Sequence, residues 1–471
     1  MHIDYTLLVL LSVPALITYI LLTLRPGLGL VILSFAVYTN LSDILISKFG
    51  LPSLAQPLVS LLVLVIITRW MVFQDQFQGW IAPALLMGAY TLLGSLSLFY
   101  ASSVSQTSAS LLSYLKDVII GLVVIFLIQN PKSLRWAAWS LLAAGIVMGT
   151  ISVFQVFTGT FSRLYAGFGQ VASLSAGDYR VAGVLNDPNF YGQIMVVLVP
   201  LAFERLLDEK RFFLKILAGW ALFVCTVTIL YTYSRGDFLA LGVVAAIAII
   251  QQPRRPLIPA FLLLAFGLLV YQFLPDQYTQ RIRSLLQVIP GASSSVTLDT
   301  SIQARTTTDI VGWTMFTQNP IFGVGVGNFN TRYLEYARQL GLGQNVETQS
   351  AHNLFLQVAA ERGILGFLSF AAIIYFTFRA LARAKSLFAR QGMSGFANLS
   401  AAMSVGLIGY LVAAIFLHDS YIRYLWLLVG IAWGGLQAAK ESANAVEPVD
   451  GAEPASVIGA GMDAYSLDSH V

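Results

Sequence analysis

Residues 111–157 read LLSYLKDVIIGLVVIFLIQ, then NPKS, then LRWAAWSLLAAGIVMGTISVFQVF. The two apolar runs, 111–129 and 134–157, each have about the 17 to 25 residues that a helix needs to cross a hydrocarbon core. The same pattern recurs in both directions. It appears at 5–24, 28–47, 54–72 and 81–100 on one side, and at 188–207, 212–231, 236–251, 256–274, 352–378, 396–417 and 420–438 on the other. Arg25-Pro26-Gly27 joins the first two runs, which read equally well as one broken hairpin. The expected fold is therefore an all-α, polytopic membrane helix bundle of about 12–13 transmembrane helices. Composition agrees, since 57% of the 471 residues are hydrophobic and 11% charged, against roughly 25% charged in soluble domains. A water-soluble enzyme of this length would lack a polar surface. The net charge of +4 is too small to imply nucleic acid, and the single Cys225 excludes an intrachain disulfide or a cysteine cluster.

The first run has only Met1 to Tyr5 before it, with Asp4 and no Lys or Arg, and no small-residue cleavage site follows. That does not fit a signal peptide, so the run is expected to stay in the mature chain. Orientation comes from Lys and Arg in the short connections. Lys132/Arg135, Arg205/Lys210/Arg211/Lys215, Arg254/Arg255 and Arg379/Arg383/Lys385/Arg390 fall in one alternate set, expected to be cytoplasmic. The opposite set includes Ala101 to Ser110, without charge, and Thr158 to Asp187, which mixes two Arg with two Asp. This places residue 1 outside and Lys440 inside. Residues 275–351 form a long outward loop with five Arg and five Asp/Glu, far beyond the usual connection and so expected to be functional. Within it, Arg305 to Gln318 and Asn328 to Leu340 carry apolar residues at helical spacing (Ile310, Trp313, Met315, Phe316; Phe329, Tyr333, Tyr336), which predicts short amphipathic helices. The tail from Glu441, rich in Ala, Ser, Gly, Asp and Glu, reads as disordered.

Of the 27 Lys and Arg, fifteen lie on the inner side of this topology. The other twelve are Lys48, Lys116, Arg163, Arg180, Arg235, Arg281, Arg283, Arg305, Arg332, Arg338, Arg362 and Arg423. A cation kept outward or within a span needs a reason. Guanidinium groups gathered at one interface suit a diphosphate, because the planar fork contacts phosphate oxygens in pairs. The plainer alternative is pairing with Asp178, Asp187, Asp237 or Glu335, or contact with lipid headgroups. His352 and His418 are the imidazoles away from the termini, and both sit at outer ends of spans. A neutral imidazole there is able to accept a proton from a hydroxyl. For His418 the plainer reading is a cap at a helix end. On one straight helix, Glu361 would lie about 13.5 Å below His352 and on the opposite face, so the two are not expected to form a catalytic pair. Glu361-Arg362 inside an apolar span implies instead a buried polar network holding one of the outward arginines.

The string His352-Asn-Leu-Phe-Leu-Gln-x3-Glu361-x-Gly363-x2-Gly366 resembles the signature of the bacterial O-antigen ligase and O-antigen polymerase family. So does the order of what precedes it: Arg180-Val-Ala-Gly183-x2-Asn186-Asp-Pro188-Asn189, Tyr233-Ser234-Arg235-Gly236, Arg305-x7-Trp313, and Pro320-Ile-Phe-Gly323-Val-Gly325-x-Gly327-Asn-Phe329. The resemblance covers about residues 180–370; before that only the many-helix architecture is similar. It implies a multi-pass protein of the bacterial inner membrane, an inverting, metal-independent glycosyltransferase without cofactor. Such a protein moves a glycan from a polyprenyl diphosphate carrier, on the periplasmic side, to a lipid, polysaccharide or protein acceptor. Membrane lipids and polysaccharide-assembly proteins are its implied partners. The resemblance also implies roles: His352 activates the acceptor hydroxyl, Arg180 and Arg235 bind the diphosphate, and Arg305 matches a further loop arginine. Asn186, Asn189, Asp237, Asn353 and Glu361 are expected to support them. On this basis the chain divides into N-terminal helices (1–179), a ligase-like core with the loop 275–351 (180–438) and a cytoplasmic tail (439–471).

Family members are drawn with about twelve spans and both ends cytoplasmic, whereas the charge pattern here puts residue 1 outside. Two other readings stay open. A membrane transporter, such as a bicarbonate-transport component, predicts broken helices and an internal repeat; Pro14, Pro83 and Pro200 are candidate breaks, and no repeat is evident. A flippase-like or scaffolding partner would bind lipid-linked glycan without turning it over. Gly323-Val-Gly325-Val-Gly327 lacks the spacing and the βαβ setting of a nucleotide-binding loop, and its glycines are expected to serve a tight turn.

Overall fold

The structure, a computed structural model, describes residues 5–175, 178–251, 300–342, 349–420 and 422–444. The expected span 256–274, Arg281, Arg283 and the tail from 445 lie outside the described residues. In chain order the helices are α1 (Tyr5–Leu24), α2 (Pro26–Tyr38), α3 (Leu41–Phe49), α4 (Ala55–Val72), α5 (Ile81–Ser95), α6 (Val104–Leu127) and α7 (Pro131–Thr158). A hairpin of β1 (Gln170–Ser175) and β2 (Asp178–Gly183) follows. Then come α8 (Pro188–Asp208), α9 (Phe212–Tyr231), α10 (Arg235–Ile250), α11 (Thr300–Gln318), α12 (Phe329–Gln339), α13 (Leu354–Arg390), α14 (Ser394–Ala414) and α15 (Arg423–Asn444).

The polytopic all-α class stands. Among the described residues eight helices are long and apolar enough to cross a membrane: α4, α5 with its 3-10 extension to Phe99, α6, α7, α8, α9, α13 and α14. The second part of α1, from Pro14, and α2 meet at 110° across Arg25 and would add a ninth as one broken span. The run 28–47 is not one span. It divides at Asn40, whose backbone is left-handed at φ 52°, into α2 and the short α3. Thirteen residues of α2 reach only about 20 Å. The last helix continues to Asn444, past the boundary expected at 438. Pro14 and Pro200 lie within continuous helices and Pro83 in the first turn of α5, so none of them breaks a helix.

Several helix starts follow from their capping residues. Asn130 and Ser133 form a reciprocal capping box at α7, with Pro131 at the first position. Asp187 accepts from the Asn189 and Phe190 amides to open α8, again before a proline. The β-hairpin, which apolar periodicity alone gave no sign of, pairs Val171 with Val181 and Ala172 with Arg180. In α11 the buried stripe is Thr308, Val311 and Met315, while Ile310 and Trp313 stay exposed. Val311 and Met315 pack with Phe329, Tyr333 and Tyr336 of α12, which are buried as the spacing predicts.

Helix α8 is the axis of the bundle: 83% of its apolar window is buried, against 17% for α4, which runs along the periphery. At the end of α8 away from His352, buried Arg205 donates to Glu204 at 2.6 and 2.5 Å and to Glu209 Oε1 at 3.2 Å. Glu209 also accepts from Trp139 Nε1 at 3.0 Å and from Arg135. Two of the arginines expected on the cytoplasmic side are thus internal ties as well. Removing one partner of a buried ion network costs about 3–5 kcal/mol. Arg205→Ala should lower the melting temperature of the detergent-purified protein sharply, whereas Lys210→Ala, an exposed neighbour, should leave it unchanged.

Candidate active site

Asn353 is the N-cap of α13, its Oδ1 accepting from the Phe355 and Leu356 amides at 3.0 and 3.1 Å. That cap starts the helix just after Asn353, so His352 lies in the bend that leads into it, half-buried, and makes no hydrogen bond to another described residue. Helix α13 is not straight. Gly363, at φ 62° and ψ −167°, breaks it, and a Cβ there would fall 2.2 Å from the Ile321 carbonyl oxygen. The carbonyls released by the break are taken by the glycine loop: Val324 N donates to Ala360 O and Gly325 N to Glu361 O, each at 2.9 Å. The two strings Pro320–Phe329 and His352–Gly366 are thus halves of one contact.

Glu361 was expected to help hold an arginine. Its carboxylate instead accepts from the Gly327 amide at 2.8 Å, the Phe329 amide at 3.2 Å and Gln357 Nε2 at 3.3 Å. The turns of the glycine loop aim these amides at it. Arg362 faces another way, its guanidinium carbon 4.0 Å from the Tyr90 ring centroid.

Arg180 lies on β2 and bridges two helix ends, donating from Nε to the Thr232 carbonyl at 2.7 Å and from Nη2 to Asn189 Oδ1 at 2.8 Å. Asn186 turns the chain between β2 and α8 in the left-handed region, at φ 58°, which asparagine tolerates. Arg235 is the first residue of α10, after Ser234, whose Oγ accepts from the Asp237 amide at 3.4 Å. A cation at a helix N-terminus opposes the helix dipole, so its placement calls for negative charge nearby. Asp237 is 1% exposed, and its carboxylate oxygens have no hydrogen-bond partner among the described residues. It packs so close to Gly192 that a Cβ there would meet Asp237 Oδ2 at 2.1 Å.

Electrostatics connects these pieces. The charges acting on Arg305 of α11 include Arg235, Asp187 and Asp237, and burial followed by Arg235 pushes its pKa down. Arg180 and Arg305 both act on Asp237. The segment leading to His352 is tied to α11 by Thr308 Oγ1, 3.0 Å from Gln349 Oε1. His352 is pushed down to about 4 by burial, then by Arg305 and His418, with Asp187 opposing. The ring is therefore neutral near pH 7 and able to take up a proton.

Arg180, Arg235, Arg305, Asp237 and His352 thus come together, with Asn189 bonded to Arg180. Asn186 and Asn353 act on the backbone, and Glu361 secures the glycine loop. His418 is more than a helix cap. It lies beyond the end of α14, edge-on to Phe190 at 4.9 Å and to His352 at 6.3 Å between ring centroids. Burial lowers its pKa, while Asp419 and Asp187 oppose. Its loop is pinned by Gln357, which donates to Asp419 Oδ1 at 2.9 Å and accepts from the Asp419 amide at 3.1 Å. The sequence signal for this was Gln357, within the His352 string. Asp187, counted only as a possible partner for an arginine, bears on Arg305 and on both histidines.

The span of the chain that holds Arg235, Asp237, Arg305, His352, Asn353 and Glu361 is also the span that matches a family model. No curated protein matches the chain. Residues 220–371 match the family model described as O-antigen ligase, a similarity that supports the O-antigen ligase/polymerase reading of this part of the chain.

Proposed function

We propose that this protein, of a family of O-antigen ligase/polymerase-type membrane glycosyltransferases, transfers a glycan from a polyprenyl diphosphate to an acceptor hydroxyl, with His352 as general base. The observation that carries this reading is that Arg235 bears on Arg305, and Arg305 in turn on a half-buried, neutral His352. Like charges gather next to a proton acceptor at a cost that an anionic ligand offsets. In the proposed step the acceptor oxygen attacks the anomeric carbon as its proton passes to His352. The bond from that carbon to the diphosphate oxygen breaks, and the leaving diphosphate keeps the electron pair. A single displacement inverts the anomeric centre. Arg235 and Arg305 take up the charge that develops on the diphosphate, so the step is metal-independent, and Arg180 holds the hairpin against the two helix ends while facing the same group. The site lies at the bundle end expected to be periplasmic, in the bacterial inner membrane.

The test is reconstitution of the purified protein in liposomes with a polyprenyl diphosphate-linked glycan and candidate lipid, polysaccharide and protein acceptors. The expected result is a glycan-bearing acceptor with one polyprenyl diphosphate released per transfer. Uptake of labelled bicarbonate without transfer overturns the reading in favour of transport.

A further inference from the structure

The connection from α11 to α12 belongs to the outward loop by its place in the sequence, yet its side chains are not those of a chain in water. Ile321 and Phe322 are 54% and 45% exposed, although the loop they begin is buried from Gly323 to Val326. Helix α11 leads to them alongside α13. Thr308 Oγ1 donates to Gln349, a Cβ on Gly312 would lie 3.1 Å from the Leu356 side chain, and the Pro320 carbonyl accepts from the Ile364 amide at 2.7 Å. These contacts step in the same direction along both segments, so α11 descends with α13 and ends beside the Gly363 break.

The depth of that point follows from α13. Fifteen residues of helix without a further break separate Ile364 from Arg379, the first basic residue at the expected cytoplasmic end, a rise of about 22 Å. A hydrocarbon core is about 30 Å thick, so Ile364 lies roughly 8 Å beneath its outer edge, and any tilt of the helix takes it deeper. Over this stretch α13 exposes Ile364, Leu365, Leu368, Tyr375 and Phe376, the lipid face of a spanning helix. Ile321, whose carbonyl oxygen lies against Gly363, and Phe322 extend that face.

Two further observations agree. Backbone at membrane depth must find its hydrogen bonds within the protein. Every amide from Gly323 to Phe329 has a partner, and the carbonyls of Phe322 and Val326 accept from Tyr100 Oη at 2.6 Å and Thr107 Oγ1 at 3.0 Å. The exposed side chains also divide by chemistry. On α11 the large ones are Ile310 and Trp313, and Trp313, next to the Gly312 contact with Leu356, falls near the outer edge, the level that tryptophan favours. On α12 they are Thr331, Glu335, Arg338 and Gln339.

We propose that the end of α11 and the start of the glycine loop re-enter the outer leaflet, with Ile321 and Phe322 among the acyl chains, Trp313 at the interface and α12 in water. The occupant of this apolar face is lipid because the loop continues, at the same depth, the face that α13 already turns to the bilayer. The insertion fixes the height of α11, which carries Arg305, against the membrane surface. It rests on packing and depth alone and stands whether or not the glycan-transfer reading does.

The experiment places spin labels at Ile321→Cys, Phe322→Cys, Leu368→Cys and Gln339→Cys, one at a time, in the full-length Cys225→Ala protein reconstituted in phosphatidylethanolamine–phosphatidylglycerol vesicles. Collisions with oxygen, which concentrates among acyl chains, are compared with collisions with a water-soluble nickel chelate. Labels at 321 and 322 should match the one at 368, open to oxygen and shielded from nickel, with an oxygen-to-nickel ratio several-fold above that at 339. Melting curves check that each variant is folded. A second measurement keeps Cys225 and puts p-benzoylphenylalanine in place of Phe322; on illumination it should couple to an acyl chain, read as a lipid mass on the peptide. Nickel access at 321 and 322 equal to that at 339 puts the loop in water. Shielding from both reagents, or coupling to protein in place of lipid, puts another part of the chain or a second copy on this face. Either result overturns the proposal.

Discussion

His352→Ala abolishes measurable glycan transfer while leaving the amount of protein in the membrane unchanged. The expected loss is about 10²- to 10⁴-fold, the range for removing a general base. The protein should fold normally, because Asn353 and not His352 caps α13 and the imidazole bonds to no other described residue. The pH dependence is more discriminating. A general base works in its neutral form, and His352 is pushed down to about 4 by burial, Arg305 and His418. In the wild type, kcat/KM should therefore hold as pH falls from 8 to about 5 and drop only below that, whereas an ordinary imidazole loses half its neutral form near about 6.5. An acid limb at 6.5 or above, measured with a glycan of fixed charge, rules out His352 as the base in this setting. Activity retained in the alanine variant rules it out in any setting.

The bundle was legible in the sequence because lipid imposes one rule on every span, and runs such as 111–129 and 134–157 obey it without reference to partners. The rule fails where a span is not straight. Nothing in the apolarity of 28–47 marks the left-handed Asn40 that divides it, and the β-hairpin lies outside the runs that the rule describes. The candidate site was legible as a set of chemically apt residues and not as an arrangement. Glu361 looked like a partner for an arginine because carboxylates in apolar runs usually need a cation. Three N–H donors, two of them amides of a loop about thirty residues upstream, serve instead, and local spacing contains no trace of them. His418 was passed over for a similar reason: its company, Phe190 and His352, comes from two other helix starts.

Arg305→Gln should reduce kcat/KM by about 10²- to 10³-fold, as loss of one preorganised donor to a developing anion does, and should also move the acid limb of the remaining activity upward. The second effect follows from sign. Arg305 is one of the charges that lowers the His352 pKa; without it the protonated imidazole is less disfavoured, its pKa rises toward the ordinary value, and the neutral base is lost at a higher pH. Arg305→Lys keeps the charge and loses the planar fork, so it should lower kcat/KM while leaving the acid limb where the wild type has it. A purely structural role for Arg305 lowers activity in both variants and shifts the limb in neither. Arg180→Gln provides the contrast. That guanidinium already bonds the Thr232 carbonyl and Asn189, so its loss loosens the hairpin, and its signature should be a lower melting temperature together with lower activity. Arg305 and Arg180 are thus separable by measurement, although both are outward arginines in the same set of motifs. The difference lies in what each side chain faces: Arg305 acts through its charge on the proton acceptor, and Arg180 through the two helix ends it joins.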